Sequence, residues 1–175
     1  MKKMFLSLMV SLALLAGCTG YGPGQSAPGN QHSNSTIADL PKEDISADEM
    51  AALNSTLNDE YRAEAIYQKV IDKFGNVRPF TNIIGAEQKH SSALILIYEK
   101  YGLPVPANEW YGKVPEFDTV ADACTAGASA EIENAALYDA QMSKVDNADI
   151  IATFTSLRDA SLNNHLPAFQ RCSDK

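Results

Sequence analysis

Residues 78–102 read RPFTNIIGAEQKHSSALILIYEKYG, and the spacing inside this stretch decides the fold. Pro79 suits a first helical position and Gly102 a stop. Between them Ile83, Glu87, His90, Leu94, Ile97 and Tyr101 recur at steps of three and four, one face of an α-helix. Two members of this otherwise apolar face, Glu87 and His90, are polar. Upstream, the same period opens at Ser46-Ala47-Asp48-Glu49, a capping-box pattern, and closes at Gly75. Its stripe is Met50, Leu53, Leu57, Glu60, Glu64, Tyr67, Ile71 and Phe74, again interrupted by acids.

Downstream, residues 102 to about 120 carry three prolines, Trp110 and, beyond the Gly102 stop, a second glycine, with no period. Extended at roughly 3.3 Å per residue, this segment reaches on the order of 50 Å, more than the roughly 35–40 Å of a helix of about 25 residues. It is long enough to cross a bundle from end to end. A third helix is expected over about 121–145, with Cys124, Ala128, Glu131, Ala135, Tyr138, Met142 and Val145 on its stripe. A fourth starts near Asn147 and carries Ile151, Phe154, Arg158, Ser161, His165, Ala168 and Cys172. The loop between them is short, so they run antiparallel. Pro167 should kink or thin the final turns. The expected fold class is all-α, a four-helix bundle with a long connection between helices 2 and 3.

Outward from this core, Lys2 and Lys3 precede an apolar run from Met4 to Ala16, too short for the roughly 20 residues of a membrane span. Residues 1–17 read as a signal peptide. The run ends in Leu15-Ala16-Gly17-Cys18, which looks like a lipobox and makes Cys18 the expected lipidation site; the alternative is an ordinary leader with an incidental cysteine. Residues 18–45, rich in Gly, Pro, Ser and Asn and including His32, cannot bury enough apolar surface to order themselves and read as a tether. The domain proper then spans 46–175, exported and anchored in the cell envelope. Loss of Lys2 and Lys3 takes the formal charge from −8 to about −10, so nucleic acid and anionic head groups are disfavoured as partners.

The remaining cysteines, Cys124 and Cys172, fall at the start of one helix and the end of its antiparallel neighbour, where a disulfide is natural in an exported protein. Two unpaired thiols are the alternative. Cys124 precedes Glu131 by seven residues and Cys172 follows His165 by seven, so the same pairing puts Glu131 and His165 at one level.

The inward polar residues are Glu60, Glu64, Glu87, His90, Glu131 and His165, from all four helices. Buried carboxylates are costly unless paired or coordinated. Carboxylates mixed with imidazole, with Glu87 and His90 one turn apart, suit iron or manganese. No phosphate loop, nucleophile elbow or Cys-x-x-Cys accompanies them. Tyr67, Tyr98, Tyr101 and Tyr138 read as core packing, with Tyr138 also a candidate electron donor beside iron.

The chain resembles the DUF2202 group of ferritin-like proteins. The resemblance lies in Asp59-Glu60-Tyr61, in Arg78-Pro79-Phe80-Thr81-Asn82-Ile83 leading to Ala86-Glu87-Gln88-Lys89-His90, in Ala136-Leu137-Tyr138-Asp139, and in Asn164-His165-Leu166-Pro167-Ala168-Phe169. It covers about 46–172 and implies a ferritin-like bundle in a superfamily of di-iron oxidases, rubrerythrin-like peroxidases and iron stores. It implies a fold more than an activity, so whether the chain is an enzyme stays open. The superfamily's ligand pattern is one Glu from each of two helices plus two Glu-x-x-His motifs. This chain departs from it at Leu162, three residues before His165, where an acid is expected. Glu64 could substitute as a further ligand. Alternatively Arg158 could pair with the acids, leaving a metal-free scaffold for an unidentified partner.

Overall fold

The computed structural model describes residue 40 and residues 42–174. The leader, Cys18 and His32 lie outside the described residues. Within them the chain is all-helical, and no helix is long and apolar enough to cross a membrane.

Helix α1 spans Ala47–Phe74. Its start is the expected capping box: Ser46 Oγ accepts from the Glu49 backbone N–H, and the Glu49 carboxylate accepts from the Ser46 N–H (2.9 Å). Helix α2 spans Phe80–Tyr101 and ends at Gly102, whose φ of +67° is the left-handed conformation that terminates helices. Leu103 N–H returns to Tyr98 C=O (2.8 Å), closing the last turn. Helix α3 spans Val120–Met142, capped by Thr119. Helix α4 spans Ala148–Ala160, a π-helical turn follows over Ser161–His165, and α5 spans Leu166–Ser173.

The disturbance expected around Pro167 takes the form of this π turn. Proline has no N–H to offer the carbonyl four residues back, so the preceding turn widens and Leu166 N–H bonds to Ser161 C=O, five residues away. The residues that face inward are those of the expected stripe. Ser161 and His165 are buried, whereas Leu162, three before His165, is 38% exposed.

Tyr98 Oη donates to Asn54 Oδ1 (2.8 Å), so the end of α2 lies beside the start of α1 and the two are antiparallel. The connection then returns along α1: Trp110 Nε1 donates to Asn58 Oδ1 (3.0 Å), and Glu116 pairs with Lys69 Nζ (2.7 Å). Helix α3 therefore starts at the far end and runs parallel to α2. Helices α4 and α5 return against it, joined at the end by the Cys124–Cys172 disulfide, with Cα atoms 5.7 Å apart. Helix α1 packs on α2 and α3, and α4 on α3 and α2.

Apolar side chains form two clusters. One, with Leu53, Leu57, Leu94, Tyr98, Tyr138 and Phe154, fills the end where α4 begins. The other, with Tyr67, Phe80, Ile83, Cys124 and Phe169, fills the disulfide end. The chain ahead of α1 also rests on the fold: Ile45 packs against the first cluster, and Lys100 Nζ reaches Leu40 C=O (2.8 Å). The expected tether is thus in contact with the domain over its last residues.

Candidate metal centre

Between the two clusters the helical stripes bring polar residues together. Glu60, Glu64, Glu87, His90, Glu131 and His165 are all buried. Each lies on the face where its helical period places it. His90 Nδ1 stands 3.1 Å from Glu87 Oε2 and 3.3 Å from Glu60 Oε2. His165 Nδ1 stands 3.0 Å from Glu87 Oε1 and 3.4 Å from Glu131 Oε2. The imidazoles stack, with centroids 5.3 Å apart. Glu87 is therefore central, one oxygen toward each histidine, with Glu60 flanking one side and Glu131 the other.

Two tyrosines hold the flanking acids. Tyr138 Oη donates to Glu60 Oε1 (2.5 Å), and Tyr67 Oη donates to Glu131 Oε1 (2.7 Å). Asn134 Nδ2 donates to Asp59 Oδ2 (3.0 Å) and to Glu60 Oε1 (3.3 Å), and its own carbonyl accepts from Ser161 Oγ (2.8 Å). Tyr67 and Tyr138, expected as core packing with Tyr138 also a candidate electron donor, are thus hydrogen-bond donors to the acids as well. The available signal was periodic: Asn134 is one turn after Glu131, and Tyr138 shares its stripe.

Glu64 is placed differently from the other expected ligands. It accepts a hydrogen bond from Ser91 Oγ (2.5 Å) and faces neither imidazole. Arg158 corrects the salt-bridged alternative. Its guanidinium pairs with Asp139 (2.8 Å) and Asp159 (2.9 Å), because its long side chain snorkels outward from α4 instead of entering the acid layer.

Electrostatics follow from burial and proximity. Burial, and then the neighbouring Glu87 charge, push Glu60 up to about 7 against the opposing pull of His90. Burial would also raise Glu87, but the adjacent His165 imidazole and then the hydrogen-bonded His90 imidazole outweigh it and hold it below the usual range. Burial disfavours the charged imidazoles, yet Glu60 and Glu87 lift His90 to about 10, and Glu131 and Glu87 lift His165 to about 9. Burial and the adjacent carboxylates push both Tyr67 and Tyr138 well above the ordinary phenol. The layer is a place where cations, protons or metals, are strongly favoured.

Metal fit can be judged from unsatisfied atoms. Glu60 Oε2, Glu87 Oε1 and His165 Nδ1 are buried with no aligned hydrogen-bond partner, although each has an opposite-type atom within 3.0–3.4 Å. Ligand bonds of about 2.1 Å at tetrahedral to octahedral angles place neighbouring donors about 3.0–3.4 Å apart. Glu87, His90 and His165 each offer an atom within 4.8 Å of the others. The residues therefore fit a cation.

No protein-family model matches the chain. It is 31% identical over 150 residues to an uncharacterized Methanocaldococcus jannaschii protein, MJ0754, covering 77% of this chain and 80% of that protein. It is also similar to the crystal structure of that hypothetical protein, with a TM-score of 0.69 and 28% identity over 77% of this chain and 85% of that one.

Proposed function

The chain belongs to the family of the Methanocaldococcus jannaschii protein MJ0754, and on that footing we propose that it is a ferritin-like four-helix metal protein binding iron or manganese. The residues that would hold the metal are Glu60, Glu87, His90, Glu131 and His165. The lipid anchor at Cys18 tethers it to the outer side of a membrane. The DUF2202 resemblance, the antiparallel pairs and the long connection between α2 and α3 support the fold reading.

One observation carries the functional reading: buried Glu60 Oε2, Glu87 Oε1 and His165 Nδ1 converge without aligned hydrogen bonds. Three ionised carboxylates beside two neutral imidazoles leave three buried negative charges, which divalent ions would offset. Iron or manganese there would supply redox chemistry toward oxygen or peroxide. The chain's own part is positional. Tyr138 and Tyr67 hold the flanking acids, Glu87 spans the two halves, and the apolar clusters on either side exclude water.

A second reading rests on the raised histidines. As imidazolium ions, His90 and His165 would offset the acids with no metal, leaving a scaffold. Elemental analysis of protein purified without chelator, beside Glu87→Ala and His90→Ala, separates the two. Metal near one or two ions per chain, lost in both variants while helical content stays, is expected; protein free of metal after exposure to iron and manganese would leave the scaffold standing.

A further inference from the structure

The metal layer is enclosed on its apolar sides, so an ion needs a way in. Between α1 and α3 lies a chamber of about 20 Å³ whose lining includes Glu87 and Glu131 on its inner side. That is room for about one water-sized sphere. Its outer lining is Asp59, Arg62, Ala63 and Ala130. Asp59 is the carboxylate nearest solvent, with its side chain 24% exposed. Its Oδ2 is held by Asn134 Nδ2, the same amide that reaches Glu60. Its Oδ1 is covered by Arg62 at 3.5 Å, a long pair whose arginine is 40% exposed. Such a pair contributes little and is easily displaced.

A second, independent observation points inward. Glu87 Oε1, fully buried and without an aligned partner, belongs to a residue lining this chamber. We propose that the gap between α1 and α3 is the route by which a divalent cation reaches Glu87 and Glu131, with the Asp59 carboxylate as its first ligand. Arg62 is the displaceable cover: an arriving ion takes its place on Asp59. Passage through a water-sized chamber requires the ion to shed most of its hydration shell, and the carboxylates at either end replace those oxygens. The small side chains of Ala63 and Ala130 leave the gap open. Its width also restricts any co-substrate using this route to molecules of about the size of water, dioxygen or peroxide.

This inference rests on the metal reading above, and its test separates the two. Cobalt(II) is mixed rapidly with the full chain stripped of metal, and both the rate and the final stoichiometry are recorded. Asp59→Asn keeps the size and the Asn134 contact; it should slow uptake about tenfold and flatten its dependence on salt, with the same final stoichiometry. Arg62→Ala should speed uptake, and Ala130→Phe should slow it. Full stoichiometry at the wild-type rate in both Asp59→Asn and Ala130→Phe overturns the route while sparing the metal site. Failure of the wild type to take up cobalt overturns both.

Discussion

At the scale of single residues, the site depends on phenols as much as on ligands. Tyr138 is fully buried and its hydroxyl donates to Glu60 Oε1. Phenylalanine in its place keeps the ring in the Leu53–Phe154 cluster but removes one donor from a buried carboxylate. Asn134 Nδ2 still reaches the same oxygen at 3.3 Å, so the loss is one hydrogen bond to a charged acceptor and does not orphan it, at the low end of about 1–3 kcal/mol. Tyr138→Phe should therefore lower the unfolding free energy of the metal-free protein, read by urea denaturation, by about 1 kcal/mol, and weaken metal binding by about 10- to 100-fold. Unchanged affinity with an unchanged midpoint would show that Tyr138 is packing alone. These donors were hard to see in the sequence because a tyrosine on an apolar stripe satisfies the packing explanation completely. Only the position of its oxygen relative to an acid 78 residues away distinguishes the two roles.

At the scale of elements, Glu49 and the π turn show helix ends doing tertiary work. Glu49 caps α1 at Ser46, and its other oxygen accepts the backbone N–H groups of Asn147 (2.9 Å) and Asp146 (3.3 Å) at the start of α4. Burial would raise its pKa, but these donors together bring it down from 4.5 to about 2. A depressed acid contributes stability that is present above about 4.5 and lost as pH falls toward 2. Glu49→Gln should thus lose about 1–2 kcal/mol near neutral pH and show a flatter decline than wild type across that acid window, read by urea denaturation. Parallel declines in the two proteins would refute the assignment. In the π turn, Leu162 faces solvent, so Leu162→Glu should add no ligand. Elemental analysis should give the same metal content, with stability within about 0.5 kcal/mol; an added ion per chain would mean that the turn had reset. Ser161 and His165 stay on the inward face that their helical period gives them, and Leu162, where the superfamily's acid would stand, lies at the surface.

At the scale of the whole molecule, the Cys124–Cys172 bridge closes a separation of 48 residues around α3, α4 and α5. In the chain-entropy account a loop of that length is worth about 4 kcal/mol. Reduction with dithiothreitol should lower the melting temperature by roughly 10 °C or more; an unchanged transition would show that the helices hold that end without it. The helical stripes, the capping box, the stop at Gly102 and the burial of Glu60, Glu87, His90, Glu131 and His165 were all determined by the sequence itself. They are local matters of period and backbone chemistry, and a helix carries its face wherever it packs. Tertiary structure alone decided that Glu87 lies between the two histidines, that Glu64 turns to Ser91 and Arg158 to Asp139, and that Tyr67 and Tyr138 hold the outer acids. Those choices depend on the rotation and depth of one helix against another. The helical period fixes neither of them.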